Sequence, residues 1–327
     1  MKTYMETHST DPYYNLALEE YVLKNRREGD YLLLWQNDNA IIIGQNQNTE
    51  EEINRPFVEE HHIKVVRRST GGGAVYHDLG NLNFSFITDL GEYSQMALSA
   101  FTEPVAAALR QLGLDAKVSG RNDICIGDQK VSGTAQRIVG NRILHHGTLL
   151  FSSDPEMIAG SLKVDPDKFR SKSTKSVRSR VGSISASLKE PMTLPEFWAF
   201  LKATLLTGEY REGALTPEEQ QGVLALKAAK YDTWDWNFGR SPRYEKTAKH
   251  VLPGGILVLS LSVKEGCLEE LALSGDFMAR RDLSELTAAL VGCPLRREAL
   301  AERLAPLPLS DYLGGISGEE FLEALLN

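Results

Sequence analysis

Arg67-Arg68-Ser69-Thr70-Gly71-Gly72-Gly73-Ala74-Val75-Tyr76-His77-Asp78 places three consecutive glycines between a basic pair and a β-prone run. Glycine takes positive φ freely and has no side chain to hold a ligand off the backbone. A loop built this way can lie directly against a thin substrate, and its free N–H groups can receive an anion. Arg68 carries a planar fork suited to a phosphate or a carboxylate. The same residues would also make a tight turn between two strands beside a surface arginine pair, so the glycines alone leave both readings open.

A second stretch, Gly120-Arg121-Asn122-Asp123-Ile124-Cys125-Ile126-Gly127-Asp128-Gln129-Lys130-Val131-Ser132-Gly133, is followed by His145-His146-Gly147-Thr148-Leu149-Leu150 and by Ser176-Val177-Arg178-Ser179-Arg180-Val181. Trp234-Asp235-Trp236-Asn237-Phe238-Gly239 comes later. In this order, after the triple-glycine loop, these motifs resemble the bacterial lipoate–protein ligases. The shared order covers most of the first three-quarters of the chain.

The resemblance implies an ATP-dependent ligase that joins (R)-lipoate to a lysine amine. A carboxylate is a poor electrophile, so the reaction first makes lipoyl-AMP and releases pyrophosphate. That step brings two anions together and calls for fixed positive charge. The resemblance assigns this task to Lys130, as the residue touching both lipoate and nucleotide. Arg68, Gly73, Ala74, Val75 and Tyr76 would hold the adenylate, with Ser176 and Arg178 from a loop that folds over it. Gly71, Gly72, Gly73, His146, Gly147 and Thr148 would line a narrow apolar lipoate slot. Asn81, Asn122 and Asp123 would support the site, and Asp123 could meet Mg2+ carried on the phosphates, since magnesium favours few carboxylates. His77 and His146 could be bases, although a histidine beside Asp78 or beside another histidine reads first as structural. The implied acceptors are lipoyl domains of 2-oxoacid dehydrogenase E2 subunits and the glycine-cleavage H protein.

Two other readings stay open. An octanoyl or lipoyl transferase of the same fold would need a cysteine nucleophile. Cys125, between Ile124 and Ile126, reads as packing, and Cys267 and Cys293 lie far downstream. A biotin–protein ligase would share the architecture, but the glycine loop resembles the lipoate version more. A non-catalytic binder of lipoate or of a carrier domain is the remaining class, and Lys130 argues against it.

The elements that must position these residues are α+β in pattern. Strands are expected over Tyr31–Trp35, Ala40–Gly44, Lys64–Arg68, Asn81–Ile87, Asp123–Ile126, Lys130–Gln136 and His145–Phe151. Helices are expected over Tyr14–Leu23, opened by Asp11-Pro12, from about Ser94 to Leu112, and over Thr193–Thr207 with a capping box at Thr193 and Glu196. Ser161–Arg180 is basic and poor in apolar residues, which suits a loop. Gly239-Arg240-Ser241-Pro242 reads as a linker. Strands over Gly255–Val263 and Leu268–Ser274 and a helix over Asp282–Val291 then form a smaller unit. The expectation is therefore a large mixed-sheet, biotin/lipoate-ligase-like catalytic domain over 1–240 with helices packed on its sheets. A small α+β accessory domain over 241–327 would follow.

Composition fits this. Of 327 residues, 42% are hydrophobic, and the formal net charge is -8, which argues against nucleic-acid binding. No apolar run reaches membrane-span length. The first residues lack a signal-peptide core, and three scattered cysteines suit a reducing, cytoplasmic setting.

Overall fold

The structure, a computed structural model, describes residues 2–91, 99–120, 122–163, 181–239, 246–264 and 266–326. The chain forms two compact units. One comprises Met1–Ile42, Ile53–Val66 and Val75–Thr233, the other Ile43–Glu52, Arg67–Ala74 and Trp234–Asn327.

The first unit is α+β around an eight-stranded mixed sheet. Its strands are β1 (Lys2–Glu6), β2 (Asp30–Trp35), β6 (Asn81–Asp89), β7 (Ala116–Ser119), β8 (Asp123–Ile126), β9 (Gln129–Val139), β10 (Arg142–Leu150) and β11 (Tyr210–Glu212). The order is β11-β1-β2-β6-β10-β9-β8-β7. Within this sheet β1 pairs in parallel with β11 and β2, and the succession β2-β6-β10-β9-β8-β7 is antiparallel. Sequential antiparallel pairing lets short turns join strands that carry the motifs, so β8, β9 and β10 bring them side by side. A three-stranded sheet has β4 (Lys64–Arg67), β3 (Ala40–Ile43) and β5 (Val75–His77) in that order, with β4 and β5 flanking the glycine loop in sequence.

Helices pack on the large sheet. Helix α1 (Pro12–Asn25) opens on Asp11, whose side chain accepts from Tyr13 N at 3.2 Å, and on Pro12 in the first turn, the position where a missing N–H costs nothing. Helix α2 (Ser99–Gln111) buries Phe101, Val105 and Leu109. Helix α3 (Leu194–Leu205) closes its N-terminus with the expected Thr193/Glu196 capping box. Leu34, Phe84, Leu109, Leu149 and Phe197 belong to the core these helices cover.

Helix α1 departs from a simple amphipathic pattern. Glu19 and Glu20 are adjacent and buried, at 2% and 1% exposure. Glu20 binds Lys24 Nζ and Lys230 Nζ, each at 2.6 Å, and the Tyr231 hydroxyl. Lys230 and Tyr231 come from a π-helical turn, Lys227–Tyr231, whose wider winding turns both side chains onto one carboxylate. Burial alone would raise the Glu20 carboxyl. The Lys230 ammonium, with hydrogen bonds from Lys230, Lys24 and Tyr231, outweighs it and holds the group at about 2.

The second unit carries an antiparallel meander, β12 (Lys246–Leu252), β13 (Gly255–Lys264) and β14 (Cys267–Gly275), with helices α4 (Ser284–Leu290), α5 (Arg297–Leu304) and α6 (Gly318–Leu326). Leu257, Leu259, Phe277, Leu286, Leu300 and Phe321 lie in its core.

Its most buried charge is Arg67, at 0% exposure. The guanidinium donates to the carbonyls of Gly44, Gln45 and Gln47 at 2.6–3.0 Å, to Trp236 O at 2.8 Å and to Thr49 Oγ1 at 2.8 Å. The Arg67 backbone is held too: its N–H donates to Asn237 Oδ1 and its carbonyl accepts from Trp236 Nε1. Of the two readings left open in sequence, the surface pair is excluded: Arg67 is a buried hub and Arg68 is largely buried.

Two outcomes follow from these buried charges. Arg67→Met orphans several buried carbonyls and should lower stability by at least ~3 kcal/mol, read as a drop in the denaturant midpoint. Glu20 has a folded value below its usual 4.5. Its contribution is therefore complete above pH 4.5 and is lost as pH falls toward 2. Acid unfolding in that window should be less steep for Glu20→Gln, which should also cost roughly 3 kcal/mol at neutral pH by leaving two ammonium groups without their carboxylate.

Candidate active site

In the second unit the glycine loop is braced by Arg68. Its Nε donates to Thr70 Oγ1 at 3.0 Å, and Nη2 donates to Gly71 O at 2.7 Å and Gly73 O at 2.9 Å. Arg68 is 6% exposed, so its fork shapes the loop from within. Each glycine has a different reason to be one. Gly72 sits at φ +90°, a conformation that strains other residues. A Cβ on Gly71 would meet Ala279 N at 2.8 Å and Phe277 O at 2.9 Å. A Cβ on Gly73 would meet nothing within 4 Å, so packing does not account for that glycine. The expected free N–H groups are partly engaged, because Gly72 N donates to Phe277 O at 3.3 Å. Ala74 belongs to the same unit.

The remaining site residues lie in the first unit. Val75 and Tyr76 lead β5, with Tyr76 buried and its hydroxyl donating to Asn39 Oδ1 at 3.0 Å. Burial, then Asp78, push that phenol up to about 12. His77 Nδ1 accepts from Asn37 Nδ2 at 3.0 Å. Asn81 is buried on β6 and donates to Asn83 Oδ1 at 2.9 Å. Ser176 and Arg178, with most of the basic loop and Arg121, lie outside the described residues.

Strands β8, β9 and β10 bring Asn122, Asp123, Lys130, Gly147 and Thr148 together. Lys130 Nζ lies 2.8 Å from Asp123 Oδ1, with 38% of the lysine side chain exposed. Gly133 N donates to Thr148 Oγ1 at 3.2 Å. Thr134 N and Oγ1 donate to Asn122 O at 2.8 and 3.1 Å, and Asn122 Nδ2 donates back to Thr134 O at 2.8 Å. Gly147 permits close packing, since a Cβ there would lie 2.6 Å from Phe84 Cζ and 2.8 Å from Thr134 Cγ2. Cys125, which reads in sequence as packing, is only partly buried and stands opposite Lys130 in the β8–β9 register.

His146 has a partner that sequence reading missed. Its Nδ1 lies 2.9 Å from both carboxylate oxygens of Glu19, which fixes the proton on Nδ1. Ser85 Oγ donates to the same carboxylate at 2.5 Å, and Trp35 Nε1 donates to Ser85 Oγ at 2.9 Å. The signal was present in α1, where two glutamates stand between the apolar runs Leu16–Leu18 and Tyr21–Leu23. The neighbouring His145 is structural. It stacks on Phe101 with ring centroids 5.1 Å apart, and burial, then His146, keep it neutral.

The first unit thus offers a cation on a strand and a histidine held on Nδ1 by a carboxylate, and the second, by itself, a glycine loop with one glycine that packing does not explain. No group of three or more His, Cys, Asp or Glu side chains suited to a metal occurs among the described residues. No helix among the described residues is long and apolar enough to cross a membrane.

Comparison with known proteins agrees with this chemistry. Residues 11–206 match the lipoyl protein ligase A/B catalytic domain, and residues 241–325 match the bacterial lipoate protein ligase C-terminus. Lipoate–protein ligase 1 of Staphylococcus aureus is 43% identical over 327 residues, spanning 99% of this chain and 100% of that protein. A bi-partite lipoate protein ligase of Thermoplasma acidophilum, solved in a study that includes its E2 lipoyl domain, superposes with a TM-score of 0.64 at 31% identity. It covers 75% of this chain and 100% of its own. A crystal structure of lipoate-protein ligase A bound with ATP gives a TM-score of 0.62 at 28% identity, covering 73% of this chain and 99% of its own. With a catalytic-domain match over more than half its length and a full-length relative at this identity, the chain belongs to the lipoate–protein ligase family.

Proposed function

We propose that this chain activates free (R)-lipoate with ATP and transfers the lipoyl group to a lysine of a lipoyl domain. The carrying observation is Lys130: a strand-borne ammonium, oriented by Asp123 at 2.8 Å, within the span that matches the ligase catalytic domain. In the first step a lipoate carboxylate oxygen attacks the α-phosphorus and pyrophosphate leaves. Lys130 offsets the repulsion between the two anions. In the second step the acceptor amine attacks the acyl carbon, AMP leaves, and the same ammonium stabilises charge on the departing phosphate and carbonyl oxygen.

Gly73 supports an approach of substrate to the loop, because its side-chain direction is open. Arg68, Gly73, Ala74, Val75, Tyr76, Ser176 and Arg178 serve the adenylate in this reading. Gly71, Gly72, His146, Gly147 and Thr148 serve the lipoyl chain. Mg2+ enters on the triphosphate. The two family matches favour a catalytic part over 1–240 and an accessory part over 241–327. The acceptors are E2 lipoyl domains, by likeness to the Thermoplasma acidophilum system, and the glycine-cleavage H protein. The setting is cytoplasmic.

Incubation of the chain with ATP, Mg2+, lipoate and an apo lipoyl domain should give a lipoylated domain by intact mass, with pyrophosphate released. Lys130→Ala should keep the circular dichroism of the parent and lose roughly 100- to 1000-fold in lipoyl-AMP formation. Turnover at the parent rate would refute the assignment of Lys130. Lipoylation from a carrier-bound acyl group without ATP would instead support a transferase, and adenylate binding without amide product a binder.

A further inference from the structure

Gly133 has no conformational need to be glycine. It lies in β9, outside the positive-φ residues of the chain. Its reason is spatial. A Cβ there would sit 2.9 Å from Lys130 Nζ and 3.1 Å from Lys130 Cε, with Asp123 Oδ1 at 3.8 Å. Asp123 is the register partner of Gly133. The lysine therefore folds back along its own strand, crosses the bare α-carbon, and reaches the carboxylate one strand away.

The surroundings hold this arrangement from both sides. The reciprocal hydrogen bonds between Asn122 and Thr134 fix the residues next to Asp123 and Gly133. Gly133 N is anchored on Thr148 Oγ1. Two of these, Asn122 and Thr148, thus brace the backbone around the amine.

We propose that Gly133 and Asp123 are positioning residues for the Lys130 ammonium, Gly133 by leaving its resting place empty of side chain and Asp123 by fixing its direction. Asp123 acts through the lysine and not as a ligand of magnesium. This rests on the ligase reading, in which Lys130 is the catalytic cation. The atoms that a Cβ at 133 would strike first are the tip of a flexible side chain. Gly133→Ala therefore displaces the amine and leaves the strand in place. An ångström of misplacement in a preorganised site costs about 100-fold in rate.

The test uses the full chain and its Gly133→Ala and Asp123→Asn variants. Without ligands, an amine-reactive acetylating ester is applied and Lys130 modification is followed by peptide mass spectrometry. Both variants should label Lys130 about threefold faster than the parent, the scale of a partly exposed ion pair, with other lysines unchanged. With ATP and lipoate, Gly133→Ala should lose about 100-fold in kcat while its unfolding midpoint and the Mg2+ concentration for half-maximal rate stay at parent values. Parent-like labelling and kcat in Gly133→Ala overturn the proposal. So does an Asp123→Asn variant that needs more Mg2+ while Lys130 labels at the parent rate. A parent chain that makes no lipoyl-AMP sinks the ligase reading instead, and the labelling ratios still uphold or overturn the placement of Lys130.

Discussion

The buried guanidinium of Arg67 is the constraint on which the glycine loop depends. A charge removed from water must have its donors satisfied, and here the acceptors are main-chain carbonyls of Gly44, Gln45, Gln47 and Trp236. Those carbonyls belong to segments far apart in sequence, so one side chain ties both to the start of the loop. Arg68 then continues the work one residue later by holding the carbonyls of Gly71 and Gly73. Gly44 completes the arrangement, since a Cβ there would lie 1.9 Å from Gly72 O. Two arginines thus set the shape of a loop whose three glycines have no side chains to set it.

The first unit uses the opposite device. Its chemistry lies on regular strands, where position is fixed by ladder hydrogen bonds and alternation. Glycines at 133 and 147 are placed where neighbouring side chains must approach: the Lys130 amine over one, Phe84 and Thr134 against the other. Buried carboxylates are expensive unless fully partnered. Helix α1 carries two, with Glu19 assigned to Ser85 and His146 and Glu20 to two lysines and a tyrosine. Glu19 thereby orients a histidine in β10, and Glu20 pins the helix that carries it.

Much of the local structure was legible in the sequence. Asp11-Pro12 and the Thr193/Glu196 box announce their helices because capping is a contact between near neighbours. The strands β2, β3, β6, β8, β9 and β10 appear within a few residues of expectation because short runs of apolar and β-branched residues bounded by turns mark buried strands. The order of motifs around Gly71–Gly73, Lys130 and His146 pointed to the family. Less visible was the difference between Arg67 and Arg68. Adjacent identical residues carry no signal of which partners each will take, and Arg67's acceptors are mostly backbone atoms, which every residue possesses.

The sequence alone determined the capped helices, the strand-borne lysine and the glycine-rich loop, all of which follow from local propensity and spacing. Tertiary structure alone decided the partners: Glu19 for His146 across 127 residues, Lys230 for Glu20 across 210, and Trp236 for Arg67 across 169. Spacing along a chain says nothing of which distant groups meet. That is settled by the requirement that every charge taken from water find an oppositely polarised neighbour once the core has closed.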